Sequence, residues 1–497
     1  MRKVALAATV AAILLTNCMK KDVRQNALSS PTEVPALSSS ASQVNPDGSS
    51  DYLILCKAQA IPVGLLEKIS AIGSVKKSIG ELGIVVASSS NPNFESELEK
   101  LSGVQSVLPD LKLNWLKSTI QQDQVVDLAN DGSPSEQLET SATLGLSGTN
   151  PFVPLQWSLL SVNAKGAYQA GYKGAGAVVA VLDGGFHLNH PDIKDNIISS
   201  ISFVPGETAQ MANLNGFSHG SHVAGIIAAS DNNIGIAGIA PSAKLKLVKV
   251  LADGGSGAWS WIIEGIYYAA DQGVDIINMS LGAAIPRNGK FIDDGGTPND
   301  PSDDVVINEA REVQDLITAM NRAFQYARRK GCLTIVAAGN SSMYVTGQGQ
   351  GTFYPANCVD VLAIAANAPT NWALNQNTSL FDPASYTNFG ASLIDFGGPG
   401  GDGDGSNTPA TIIGITRPAW VFDLVLSVGT STSYTWTAGT SMACPAASGV
   451  AALIAGKYGG NITNTQLESK LQRSAVNLGA REYYGHGQVN AANAIQQ

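Results

Sequence analysis

From Pro151 onward, short uninterrupted apolar runs alternate with longer stretches in which apolar residues recur every three or four positions. The runs Ala177 to Leu182, Leu245 to Leu251, Asp275 to Ser280, Leu333 to Ala338 and Val361 to Ala365 predict strands. Most lack the apolar-polar alternation of a half-wetted sheet, so they imply parallel strands buried on both faces. The stretch before Gly331 predicts a helix, with an apolar stripe at Leu316, Ala319, Met320, Ala323 and Ala327. Arg328, Arg329 and Lys330 fall in its last turn, where cations meet the negative helix end, and Gly331 supplies the stop. The expected fold class is α/β, a doubly wound and mostly parallel sheet.

A different order of elements precedes it. Residues 51–115 predict a strand at Tyr52 to Cys56, a helix at Gly64 to Ile72 and two strands between Val75 and Ser88. A helix at Phe94 to Leu101 and a last strand near Val104 complete a small α+β unit, two helices on one face of an antiparallel sheet. Residues 116–150 are rich in Gln, Asp, Ser, Thr and Gly and read as an exposed link open to proteolysis. Within residues 19–50, Ser, Pro, Ala and Val dominate from Asn26 on, which makes a flexible tether. At the start, Arg2 and Lys3 precede an apolar run from Val4 to Thr16, shorter than the roughly 20 residues needed to span a bilayer. Residues 1–18 therefore read as a secretory signal. Its end, Leu15-Thr16-Asn17-Cys18, resembles a bacterial lipoprotein signal, with Cys18 as the lipid attachment point. Asn17 departs from the usual Gly, Ala or Ser there, and a plain signal with an incidental Cys18 is the alternative.

Composition narrows the partners. Charged residues make up 14% of the 497, well below the globular norm of about a quarter, which excludes a solvated disordered chain or a coiled coil. Forty acidic against 30 basic residues give a net charge of -10, which argues against binding a phosphate backbone and removes nucleic acid as a partner. Five scattered cysteines make no dense disulfide framework. Cys332 and Cys358 flank one expected strand and are the pair expected to bridge. Two buried small apolar residues are the alternative.

Three Gly-containing segments fall at strand ends or helix starts, where loops of an open α/β sheet gather into a crevice. Val181-Leu182-Asp183-Gly184-Gly185 offers a carboxylate, His219-Gly220-Ser221-His222-Val223-Ala224-Gly225 an imidazole, and Gly439-Thr440-Ser441-Met442-Ala443-Cys444-Pro445 a hydroxyl. A serine hydroxyl is a feeble nucleophile until an imidazole accepts its proton, and that imidazole needs a carboxylate to fix its tautomer. Alone, Ser441 would be a helix cap and Asp183 a turn former. Their joint order, Asp then His then Ser, resembles that of the subtilisin-like serine peptidases. An esterase of the α/β-hydrolase type is excluded, because the second Gly of a Gly-x-Ser-x-Gly elbow is missing and the order differs.

The resemblance covers residues 151–497 and implies that Asp183 orients, His219 is the general base and acid, and Ser441 is the nucleophile. It implies that Asn340, ending Val336-Ala337-Ala338-Gly339-Asn340, helps form the oxyanion hole, and that Ser280, Leu281 and Gly282 pair with an extended substrate opposite a wall of Ala337, Ala338 and Gly339. Tyr354-Pro355-Ala356 and Gly485-His486-Gly487-Gln488-Val489-Asn490-Ala491 follow the family as well. Residues 51–115 resemble its inhibitory propeptides, so the chain's own propeptide is an expected partner beside protein or peptide substrates. His187, His190, His222 and His486 occupy no catalytic slot.

Departures also matter. Gly184 replaces the usual Ser or Thr after the catalytic Asp, and Phe353 brings a ring near the primary pocket. Gly184 and the insertions encourage one alternative, a catalytically inactive subtilisin-like surface binding module. The family often carries calcium, and Asp293 to Asp304 and Asp402-Gly403-Asp404-Gly405-Ser406 are acidic enough to invite it. Neither completes a calcium loop with its closing Glu, so both read as solvated loops, with no metal residue and no certain cofactor. The expectation is an exported serine endopeptidase made as an autoinhibited precursor, in contact with membrane only through a lipid on Cys18.

Overall fold

The computed structural model describes residues 39–40, 45, 47–117, 126–128, 140–286, 290–293, 305–308, 310–345 and 351–497. The signal, Cys18 and most of the expected tether and link lie outside them.

The N-terminal block comprises β1 (Ser50–Cys56), α1 (Leu65–Ile72), β2 (Ser74–Ile79), β3 (Ile84–Ser89), α2 (Phe94–Leu98) and β4 (Val104–Pro109), followed by β5 (Lys112–Asn114). Its sheet is antiparallel in the order β2-β3-β1-β4. Because strand side chains alternate, one face turns Ile54, Cys56, Val85, Ala87 and Val107 onto Leu65, Ile69, Phe94 and Leu98 of the two helices. Leu53, Leu55, Ile84 and Leu108 point the other way. α2 stops at Leu98, short of the expected Leu101, because the chain tightens into a turn toward Gly103 at φ +100.

The larger part carries β6 (Val178–Asp183), β7 (Ile197–Ser202), α3 (His219–Ala228), β8 (Lys244–Lys249), β9 (Ser256–Ala258) and α4 (Trp259–Asp271). There follow β10 (Ile276–Met279), α5 (Ala310–Arg329), β11 (Leu333–Ala337), β12 (Val361–Ala368), β13 (Asp382–Pro383) and β14 (Phe396–Pro399). After β15 (Val425–Val428) and β16 (Tyr434–Thr437) come α6 (Thr440–Lys457) and α7 (Asn464–Ser474). The main sheet runs β13-β12-β11-β10-β6-β8-β7, with β14 also paired to β12. All its pairings are parallel except that of β13. All five strands expected here form, and both faces are covered. Val179 and Val181 meet Val223 and Ile227 of α3 and Val450 and Leu453 of α6. Ala180 and Leu182 meet Ile262 and Ile266 of α4 and Leu316, Met320 and Ala323 of α5.

That second core also takes in Leu53, Leu55, Ile84 and Leu108, so the bare face of the N-terminal sheet closes on α4 and α5.

The expected bridge between Cys332 and Cys358 does not form. Both are free, buried thiols inside the second core. Burial in apolar surroundings, which disfavours the thiolate, pushes Cys332 up to about 12 and Cys358 higher still. They behave as small apolar residues.

Candidate active site

Parallel pairing puts the carboxyl ends of β6, β10 and β11 on one edge of the sheet, and the expected residues gather there. Asp183 ends β6 and is fully buried. The Gly184 backbone N–H donates to its Oδ1 at 2.7 Å, a steadying contact that needs no side-chain hydroxyl. His219 opens α3, whose N-terminus is capped by Ser218, its hydroxyl accepting from the Ser221 N–H at 3.0 Å. Gly220 lets α3 approach β6: a Cβ there would meet the Phe186 ring at 2.6 Å and the Asp183 Cβ at 3.2 Å.

His219 Nδ1 lies 2.8 Å from Asp183 Oδ1 and 3.0 Å from Oδ2. A carboxylate there accepts, so Nδ1 carries the hydrogen and Nε2 is left with its lone pair. That Nε2 is buried and finds no partner among the described residues. His187 and His222 instead meet backbone carbonyls, Gly216 O and Thr435 O, each at 2.9 Å. Desolvation holds His222 down at about 3 and His190 at about 4, so both are neutral at pH 7.

Ser441 sits in the first turn of α6, facing the end of β10. Its Oγ donates to the Ser280 carbonyl at 3.0 Å, and Ser280 Oγ returns a bond to the Ser441 carbonyl at 2.9 Å. The structure thus joins His219 to Asp183, while the Ser441 hydroxyl is directed to Ser280 rather than to the imidazole. Asn340, just past β11, accepts at Oδ1 from the Thr440 N–H at 2.9 Å and from the Thr440 hydroxyl at 2.8 Å. Its Nδ2 is buried without a partner among the described residues. Thr440, which aims that amide, was not singled out from sequence, although it stands beside Ser441 in the same motif. Leu281, Ala337 and Ala338 are fully buried, and Asn388 pins the latter wall, donating to the Ala338 carbonyl at 2.9 Å and the Gly339 carbonyl at 2.8 Å.

A cleft of about 400 Å³ opens beside His219, lined by Gly184, Gly185, Phe217 and, from the N-terminal block, Asn114, Leu116 and Lys117. β5 lies along it as an added strand, antiparallel to β9. The Trp115 N–H donates to Gly255 O at 3.0 Å and the Gly282 N–H to Trp115 O at 2.8 Å. Trp115 Nε1 donates to Gly257 O at 2.8 Å, and its ring meets Trp259 edge to face at 5.2 Å. The Gly254-Gly255-Ser256-Gly257 run before α4 is thus a cleft wall that sequence reasoning missed; its clustered Gly and Ser were the available signal.

Buried polar contacts at Asp110 and Arg322 also bind the block to the larger part. Asp110 accepts from the Ser260 N–H at 3.0 Å and from its hydroxyl, capping α4, which has no side-chain cap of its own. Arg322 of α5 donates to the Cys56 carbonyl at 2.9 Å and the Leu82 carbonyl at 3.0 Å. Burial raises Asp110 to about 6 and Glu264, which faces Lys77, to about 7.

Among the described residues no group of three or more His, Cys, Asp or Glu is arranged to hold a metal ion. Asp402 is occupied by the Ser385 N–H at 2.5 Å and its hydroxyl at 3.2 Å. Of the stretch from Asp293 to Asp304, residues 294–304 lie outside the described residues.

A parallel α/β sheet that gathers carboxylate, imidazole and a serine at a helix start along one edge defines an α/β serine hydrolase. Residues 174–487 match the model of the subtilase family. Subtilisin NAT of Bacillus subtilis subsp. natto is 31% identical over 434 residues, 87% of this chain and 90% of that protein. A subtilisin of Bacillus pumilus is 34% identical over 340 residues, 68% of this chain and 98% of that protein. Among solved structures, the epidermin leader peptide processing serine protease of Staphylococcus aureus has a TM-score of 0.63 at 21% identity, covering 90% of this chain and 97% of that one. Fervidolysin of Fervidobacterium pennivorans also gives 0.63, at 20% identity, covering 94% and 64%. The chain belongs to the subtilase family and is a serine endopeptidase.

Proposed function

We propose that the chain is an exported endopeptidase, made as an autoinhibited precursor, that cleaves peptide bonds through Asp183, His219 and Ser441. The observation that carries this reading is a pair of buried atoms without a partner among the described residues: His219 Nε2, an acceptor, and Asn340 Nδ2, a donor. Asp183 holds the His219 Nδ1–H. When Ser441 Oγ leaves the Ser280 carbonyl, Nε2 takes its proton and Oγ bonds to the substrate carbonyl carbon. The resulting oxyanion accepts from Asn340 Nδ2 and the Ser441 backbone N–H, whose place in the first turn of α6 adds favourable dipole potential. His219 passes the proton to the leaving amine, and water, deprotonated by the same imidazole, releases the acyl group.

The substrate is a protein or peptide in extended form, held as β5 and Trp115 are held now, by main-chain bonds to residues 255–257 and 282. Residues 51–115 form the inhibitory prosegment, whose departure vacates the cleft. Residues 1–18 direct export, with Cys18 as lipid anchor, and residues 116–150 hold the processing link. Active-site labelling with a fluorophosphonate, run beside Ser441→Ala with N-terminal sequencing, tests this. Labelling at Ser441 and loss of both maturation and cleavage in the variant are expected; an unlabelled, processed wild type would mean an inert scaffold.

A further inference from the structure

We propose that Phe353 fills the pocket meant for the side chain at the scissile carbonyl, so that this protease cuts after small residues such as Gly, Ala or Ser. The inference rests on the reading of Ser441 and Asn340 given above.

On that reading, a chain paired with Gly282, as Trp115 is, presents its reacting carbonyl to Ser441 Oγ and Asn340 Nδ2. The side chain of that residue must then enter between the segment 280–282 and the segment 337–339. A ring already stands there. A Cβ at Gly282 would lie 2.3 Å from Cε1 of Phe353 and 2.7 Å from Cζ. A Cβ at Gly339 would lie 2.6 Å from Cε2 and from Cζ of the same ring. The two walls therefore close on opposite edges of one phenyl group, and each is a glycine where it meets that group.

The ring is fully buried and belongs to the second core. Its backbone is fixed as well: Phe353 pairs with Ala284 in the antiparallel ladder of 283–286 with 351–354, and its N–H donates to Asn357 Oδ1 at 3.0 Å. Swinging the ring aside would break packing on both walls. The cleft beside His219 is lined by neither 280–282 nor 337–339, so it does not replace the filled slot.

The test uses mature enzyme, its sites counted by fluorophosphonate, on a peptide p-nitroanilide series varying only the residue before the cut among Gly, Ala, Leu and Phe. Wild type should favour Ala over Phe by at least about tenfold in kcat/KM, and Phe353→Gly should raise Phe by at least about tenfold while changing Ala less. Phe353→Leu serves as the milder variant and should admit Leu without admitting Phe. A wild type that prefers Phe or Leu overturns the proposal, even if Phe353→Gly does not fold. So does a labelled Phe353→Gly that keeps the wild-type order. Absence of both labelling and hydrolysis in the wild type would overturn the Ser441 mechanism and this inference together.

Discussion

Thr440 does more than its place beside the nucleophile suggests. Its hydroxyl donates to Asn340 Oδ1 and accepts from the Gly339 N–H at 3.0 Å, while its own N–H also donates to Oδ1. A flipped Asn340 amide would set an NH₂ against two donors, so Oδ1 stays on Thr440 and Nδ2 stays turned away from it. Replacing Asn340 with Ala should therefore lower kcat by about 10² to 10³, a range measured on a subtilisin, with KM little changed, in steady-state assays of titrated enzyme. Asp183, His219, Asn340 and Ser441 could be marked as candidates from sequence because the proposed chemistry demands a residue type at a fixed place in a motif. The cysteine pairing could not, since spacing along the chain says nothing of where two side chains point. Cys332 and Cys358 should remain unreactive to a thiol reagent at pH 8 in the native protein and react fully on denaturation; a single intact bridge in a non-reducing mass spectrum would contradict the free thiols.

Strands buried on both faces announced themselves by composition, whereas those sustained by partners far away did not. β7, with its sequence Ile-Ile-Ser-Ser-Ile-Ser, is a half-polar edge strand, and β14, Phe-Gly-Gly-Pro, has almost no strand propensity. β5 is three residues long and exists because residues 256–258 supply its hydrogen bonds. The cap from Asp110 and the grip of Arg322 span 150 and 240 or more positions, so no local pattern signals them. Loss of the cap in Asp110→Ala should weaken docking of the N-terminal block by about 1 to 2 kcal/mol, read as faster amide exchange across residues 51–115 in the full-length Ser441→Ala chain. The pH dependence of that docking follows from two carboxyls raised by burial. A carboxyl whose folded value is raised favours the docked state at low pH and loses that contribution as pH climbs through the raised value. Docking should therefore loosen from about pH 4 to about 6 through Asp110 and up to about 7 through Glu264. Exchange corrected for its intrinsic pH dependence would check this, and tighter docking at pH 8 than at pH 5 would refute it.

The assembled chain joins two sheets of opposite habit, one parallel and enclosed, one antiparallel and dependent on its neighbour. Acid should unsettle the whole. His190 and His222 are held below their ordinary 6.5 by desolvation, so the stability they contribute is complete above that value and drains as pH falls toward about 4 and about 3. Melting temperature should fall with pH across that window. If Cys18 carries a lipid, a cut within residues 116–150 separates the anchor from the protease. Fractionated cells should then hold the Ser441→Ala precursor at the membrane and release the wild-type catalytic fragment to the medium. A wild-type fragment that stays with the membrane would count against the release.

One face of the N-terminal sheet has no cover of its own. Leu53, Leu55, Ile84 and Leu108 are buried in the core shared with α4 and α5, and the block's private core holds ten buried residues among those described. If the block is the prosegment proposed above, once cut away it would keep too little interior to hold its shape, and its former seat would await something it could no longer offer. On the proposed reading, activation would be a fuse rather than a valve: it would blow once and not reset.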